Sequence, residues 1–129
     1  MGITITTQRP DPQAIMAHYG ITSSYPRAEV IRAISQALRR RSGRAWSVTG
    51  GRGTAYGWLT ISAPPSRRLH PGGSCMNDID CAELGRLLGL GRPAFCQGEG
   101  IAASYDYRAE YLQRAHGDPV TISGKQYWD

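Results

Sequence analysis

Apolar residues recur at the helical period most clearly between Pro26 and Gly43. Val30, Ile31, Ile34, Ala37 and Leu38 share one face, while Arg27, Glu29, Arg32 and Gln36 take the other. Pro26 suits the first turn of this helix. Arg39, Arg40 and Arg41 fall in its last turn, where cations favour the negative end of the helix dipole by ~0.3–1 kcal/mol, and Gly43 supplies a left-handed stop. The pattern then changes to a period of two. Gly50-Gly51-Arg52-Gly53 is a turn signal, and Gly51-Arg52 as its central pair predicts a tight hairpin with Thr49 facing Thr54, Val48 facing Ala55 and Trp46 facing Gly57. One face then carries Trp46, Val48, Ala55, Gly57, Leu59 and Ile61 against the helix. The other presents Ser47, Thr49, Tyr56, Trp58 and Thr60.

Weaker patterns flank this unit. Gly2–Thr7 alternates as a short strand, and Asp11-Pro12 is an N-cap and first-turn pair for a helix from Pro12 to Tyr19 that stops at Gly20. Whether residues 1–25 form an arm or pack into the core stays open at this level. Ala63–Ser74 reads as a basic loop. Asn77 or Asp78 caps a helix with Cys81, Leu84, Leu87 and Leu88 on its apolar stripe, ended by Gly89. Pro93–Gln97 suggests a short strand and Gly98-Glu99-Gly100 a turn. Ser104 caps a helix to His116 with Tyr107, Tyr111, Leu112 and Ala115 on one face and Gly117 as its stop. Pro119–Asp129 reads as extended, with Tyr127 and Trp128 anchoring it to the body. The expectation is one α+β domain, a small antiparallel sheet packed against about four helices.

The length of 129 residues suits a single domain, and 40% hydrophobic with 19% charged residues is a globular composition. No apolar run reaches the ~18 residues of a membrane span, and no basic-then-apolar leader is evident at the start. Three cysteines make no disulfide framework and suit a reducing cytoplasm. The net charge of +5 hides a polarity. From Arg27 to Arg68 nine arginines face the single acid Glu29, and from Leu69 onward five basic residues face eight acids. A basic patch of this kind fits phosphate or an acidic protein surface.

Candidate chemistry concentrates on the hairpin. Arg52 at its tip, Tyr56 and Trp58 on its outer face, Arg39, Arg40, Arg41 and Arg44 beside it, and Arg67 and Arg68 in the next loop combine cations with stacking surface. The competing structural reading buries those rings under the C-terminal helix and tail. His70, Cys75, Cys81 and Cys96 lack the C-x2-C knuckle of structural zinc sites, so no cofactor is expected. Asp78 and Asp80 do not share a helix face. Glu99 between two glycines reads as an exposed carboxylate that His70 or His116 could partner, but no spacing brings them together. Gly50–Gly53 has no following Lys-Ser/Thr, which excludes a Walker loop.

The segment Trp46-Ser-Val-Thr-Gly-Gly-Arg-Gly-Thr-Ala-Tyr-Gly-Trp58, with Glu83–Gly89 and Ser104–Ala115, resembles a loose set of small uncharacterised bacterial proteins of phages, plasmids and other mobile elements. That resemblance implies an accessory protein, one that antagonises host defence or assists element maintenance, and transfers no functional residue. The sequence therefore points to a cytoplasmic, non-enzymatic binding protein. Nucleic acid is the first ligand, an acidic protein surface of a host complex the second, and an enzyme with an unmarked site the third.

Overall fold

The computed structural model describes residues 10–53, 57–102 and 104–124. The expected strand at Gly2–Thr7, the ring of Tyr56 and the terminal rings of Tyr127 and Trp128 lie outside the described residues. Helix α1 (Pro12–His18) starts where the Asp11 carboxylate accepts from Gln13 N at 3.0 Å. Helix α2 (Arg27–Ser42) buries Val30, Ile34, Ala37 and Leu38 and ends at Gly43 with φ +71°. Helix α3 (Asp78–Leu87) is capped by the Asn77 side chain, and α4 (Tyr105–His116) by Ser104 at one end and left-handed Gly117 at the other. These starts and stops follow the capping chemistry that the sequence signals.

Strands β1 (Ser47–Gly50), β2 (Leu59–Ser62) and β3 (Glu99–Ile101) form an antiparallel sheet in that order. The tight turn centred on Gly51-Arg52 does not form. Val48 pairs with Ile61 and Gly50 with Leu59, leaving Gly51–Trp58 as the connection. The partner of Val48 thus moves from residue 55 to residue 61, six places along the second strand. An even shift leaves the paired side chains of β1 and β2 on their expected faces. Its cause is burial: this register sets Leu59 and Ile61, both fully buried, beside Val48 on the helix-facing side, where Ala55 and Gly57 would offer little apolar surface. Gly57 therefore does not make room for Trp46. The indole instead donates Nε1–H to Ser42 Oγ at 3.0 Å and lies under the guanidinium of Arg67.

The expectation for residues 93–100 is likewise reversed. Residues 93–97 form a loop whose Ala94 N donates to Cys81 O, while residues 99–101 are the strand, pairing with β2. Ile101 and Glu99 point inward and Gly100 outward.

Helix α2 packs against β1 and α4 and touches α3, and α1 docks on α4. Met16 and Ile21 join the core, and Tyr19 stacks on His116 with centroids 4.2 Å apart, so the segment from Pro12 to Ile21 is packed rather than a free arm. After α4 the chain returns along it. Gln113 and Thr121 exchange two hydrogen bonds, Gly124 N donates to Glu110 at 2.7 Å, and Ile122 is buried. The result is a small α+β domain of four helices and a three-stranded antiparallel sheet among the described residues.

Gly85 separates propensity from packing. Mid-helix alanine is preferred over glycine by ~1 kcal/mol, but a Cβ here would stand 2.1 Å from Arg92 O and 2.9 Å from Pro93 Cα. Gly85→Ala is expected to destabilise the fold by about 1–3 kcal/mol in urea denaturation. A stabilised variant would contradict this packing of α3 on residues 92–93.

Candidate nucleic-acid interface

The basic patch read from the sequence is divided by the fold. Because β1 runs back along α2, Gly51 and Trp58 sit at the N-terminal end of α2. Arg27 in that first turn donates to Gly51 O at 2.7 Å. Arg39 and Arg40 lie twelve and thirteen residues further on, about 18–20 Å along the axis at 1.5 Å per residue. Arg52 and the Arg39–Arg44 cluster therefore occupy opposite ends of the domain.

Much of the far cluster is engaged internally. Arg41 donates to Leu87 O and Ala115 O at 2.8 Å each, and to Arg114 O at 3.2 Å, closing the C-terminal ends of α3 and α4. Arg44 meets Asp80 and Glu83 at 2.6 Å each. Arg67 reaches the other Asp80 oxygen at 3.2 Å. Burial works to lower the Arg44 pKa, but the charges of Asp80 and Glu83 outweigh it and hold Arg44 above its usual value. Arg68 donates from Nε to Ala63 O at 3.2 Å. These four side chains are structural cations. Arg39 and Arg40 are exposed, and no other described residue engages their side chains.

Asp80, placed by its sequence position in an acidic first turn, is completely buried, which no periodicity signals. Its carboxylate is held by Arg44, Arg67 and the Asn77 amide. Glu99 is not an exposed carboxylate either. It is 2% exposed, pairs with Arg92 at 2.7 Å and accepts from Phe95 N at 3.1 Å. Its place opposite Ile61 on the inward face explains the burial, and the Arg92 pair satisfies the charge there. His116 contacts Leu112 O through Nδ1 at 2.7 Å and stacks on Tyr19, as a helix-end residue would. Among the described residues no group of three or more His, Cys, Asp and Glu side chains is placed to hold a metal ion.

The loop end retains the open surface. Trp58 is 52% exposed, not covered by α4, and lies on the outer sheet face over Gly100, where a Cβ would stand 3.7 Å from the indole. Its carbonyl accepts from Gly51 N at 2.8 Å, which holds it at the same end as Arg52. Arg52 is exposed. On the helix side of this end a groove of 540 Å³ runs between the α1–α2 connector and the start of α4, lined by Tyr25, Arg27, Ile31, Tyr105 and Arg108 among others. Tyr25 is 89% exposed, and the Arg108 guanidinium lies 5.6 Å from the Tyr105 ring centroid. Gly50 permits the seating of Arg27, since a Cβ there would meet Nη2 at 1.9 Å.

Sequence reasoning missed Tyr25, Arg27, Tyr105 and Arg108 as one surface because they come from two segments far apart in the chain. One signal was present: Tyr105 falls off the Tyr107–Tyr111 stripe of its helix, and Tyr25 sits in a polar connector, so neither ring had a core assignment.

Removing the buried carboxylate tests the division of cations. Asp80→Ala leaves Arg67 without its acid and Arg44 with Glu83 alone, and is expected to cost about 2–3 kcal/mol of stability by chemical denaturation. A loss below ~1 kcal/mol, the scale of a surface pair, would return those arginines to the candidate interface.

No protein-family model, no curated protein and no solved structure matches this chain, so its function is read from this geometry.

Proposed function

We propose that this chain is a non-enzymatic binding domain for single-stranded nucleic acid, acting through the loop end of the domain. The observation that carries the reading is the groove lined by Tyr25, Tyr105, Arg27 and Arg108, at the same end of the domain as Arg52 and Trp58. Unpaired bases stack on exposed rings and the backbone follows cations, a combination that is tolerant of sequence. Arg52, exposed at the same end, is suited to a backbone phosphate, and Trp58 on the outer sheet face to a further base. Tyr56, in the same loop, belongs to the proposal by sequence position. The likeness of the Trp46–Trp58 segment to proteins of mobile elements supports an accessory role for such binding.

A second reading is favoured by exposed apolar side chains elsewhere. Leu69, Ile79 and Phe95 are 55%, 75% and 61% exposed, and the internal engagement of four arginines leaves less charge for phosphate. These suit a protein partner, in keeping with a module that inhibits a host complex.

Anisotropy of labelled random single-stranded DNA and RNA at two salt concentrations separates the two. Affinity is expected to fall steeply with salt. Tyr25→Ala and Tyr105→Ala should each weaken binding by about 1–3 kcal/mol, and Arg52→Ala should reduce the salt slope by about one. The double variant Arg39→Ala/Arg40→Ala, at the opposite end, should change little. Absence of binding at low salt would remove the nucleic-acid reading and leave the protein partner.

A further inference from the structure

Two of the three cysteines, unremarkable by spacing, meet in the fold. Cys75 precedes the Asn77 cap of α3 and Cys96 precedes β3, yet their Sγ atoms are 3.2 Å apart. A disulfide bond measures ~2.05 Å, so a small closing movement joins them. A main-chain bond already ties the two segments, and another ties Cys75 to the loop before it. Met76 N donates to Cys96 O at 2.7 Å, and Leu69 N donates to Cys75 O at 2.9 Å. Cys96 is exposed and Cys75 partly so, whereas Cys81 is buried with its thiol directed at Met76 O. The pair is thus reachable from solvent and the third thiol is not.

We propose that Cys75 and Cys96 form a reversible dithiol–disulfide site that exchanges with small-molecule disulfides. The Cys96 thiolate, the more exposed, attacks one sulfur of the external disulfide. A Cys96 mixed disulfide forms and one small thiolate leaves. Cys75 loses its proton to solvent and attacks the Cys96 sulfur, forming the Cys75–Cys96 bond and expelling the second small thiolate. Two protein thiols are oxidised, the external disulfide is reduced to two thiols, and two electrons pass between them. The hydrogen bond to Cys96, followed by burial and the charges of Cys96 and Cys81, raises the Cys75 pKa above its usual value. The greater exposure of Cys96 and this shift both leave Cys75 for the second step, in which proximity to the mixed disulfide drives its attack.

The closed ring would contain the whole of α3 with its Asn77 cap and the buried Asp80. Closure restricts the unfolded chain over this stretch. Through Leu69 and the Arg68–Met76 bridge it also holds the loop that carries Arg67 and Arg68. This site does not depend on nucleic-acid binding at the other end of the domain.

The full chain is incubated with glutathione disulfide, then examined by mass spectrometric peptide mapping and thermal unfolding. The expected result is a Cys75–Cys96 cross-link within one chain, Cys81 still a thiol, and a melting temperature raised by roughly 5–10 °C, all reversed by dithiothreitol. Cys81→Ala should oxidise as the wild type does. Cys96→Ser should form no cross-link and show no rise in melting temperature. Free thiols throughout, glutathione retained on wild-type cysteine, a bond to Cys81, or a bond between two chains would each overturn the proposal.

Discussion

The Asp80 carboxylate sits in the interior with no exposure to water, and a charge placed there stands only with counter-charges around it. Meeting that requirement draws Arg44 from the α2–β1 junction and Arg67 from the loop after β2 onto the first turn of α3. Both guanidiniums then approach the Trp46 ring, at 5.7 and 4.9 Å from its centroid. One buried acid thereby ties together the end of the long helix, the start of the sheet and the third helix. The tryptophan between them is held by cations and by Ser42 rather than by a glycine across the hairpin.

The same logic applies at the helix ends. Arg41 accounts for carbonyls at the C-terminal ends of α3 and α4, and Arg114 donates to Leu88 O and Gly89 O at 3.0 and 2.9 Å. Unsatisfied carbonyls near a packed interface are costly, and long forked side chains are well suited to reach several at once. An arginine run that looks like a ligand-binding patch in one dimension thus becomes, in part, the means by which three helices converge. The groove on which the proposed binding rests is at the other end of α2.

How legible each feature was depends on the range of the interaction behind it. Asp11, Asn77, Ser104, Gly43 and Gly117 act on backbone within a few residues, so their roles as caps and stops could be read directly. The faces of the paired residues in β1 and β2 were also readable, because parity survives a shift of six positions. The pairing itself was not. Gly50, Gly51, Gly53 and Gly57 permit several turns, and the choice among them was made by which apolar residues could be buried against α2. Glu99 between two glycines resembles a turn locally, and only its pairing opposite Ile61 and the reach of Arg92 make it an interior strand residue.

By itself the sequence determined the helices, their ends, the α+β class and the alternation of faces, since all of these follow from local geometry and periodic burial. Tertiary structure decided which arginines are engaged internally, that Tyr25 and Tyr105 line one groove, and that Cys75 touches Cys96. Those are arrangements of segments whose separation along the chain carries no signal of their closeness in space. The charge, the rings and the thiols were visible from the start, but their chemistry depends on neighbours that only packing supplies.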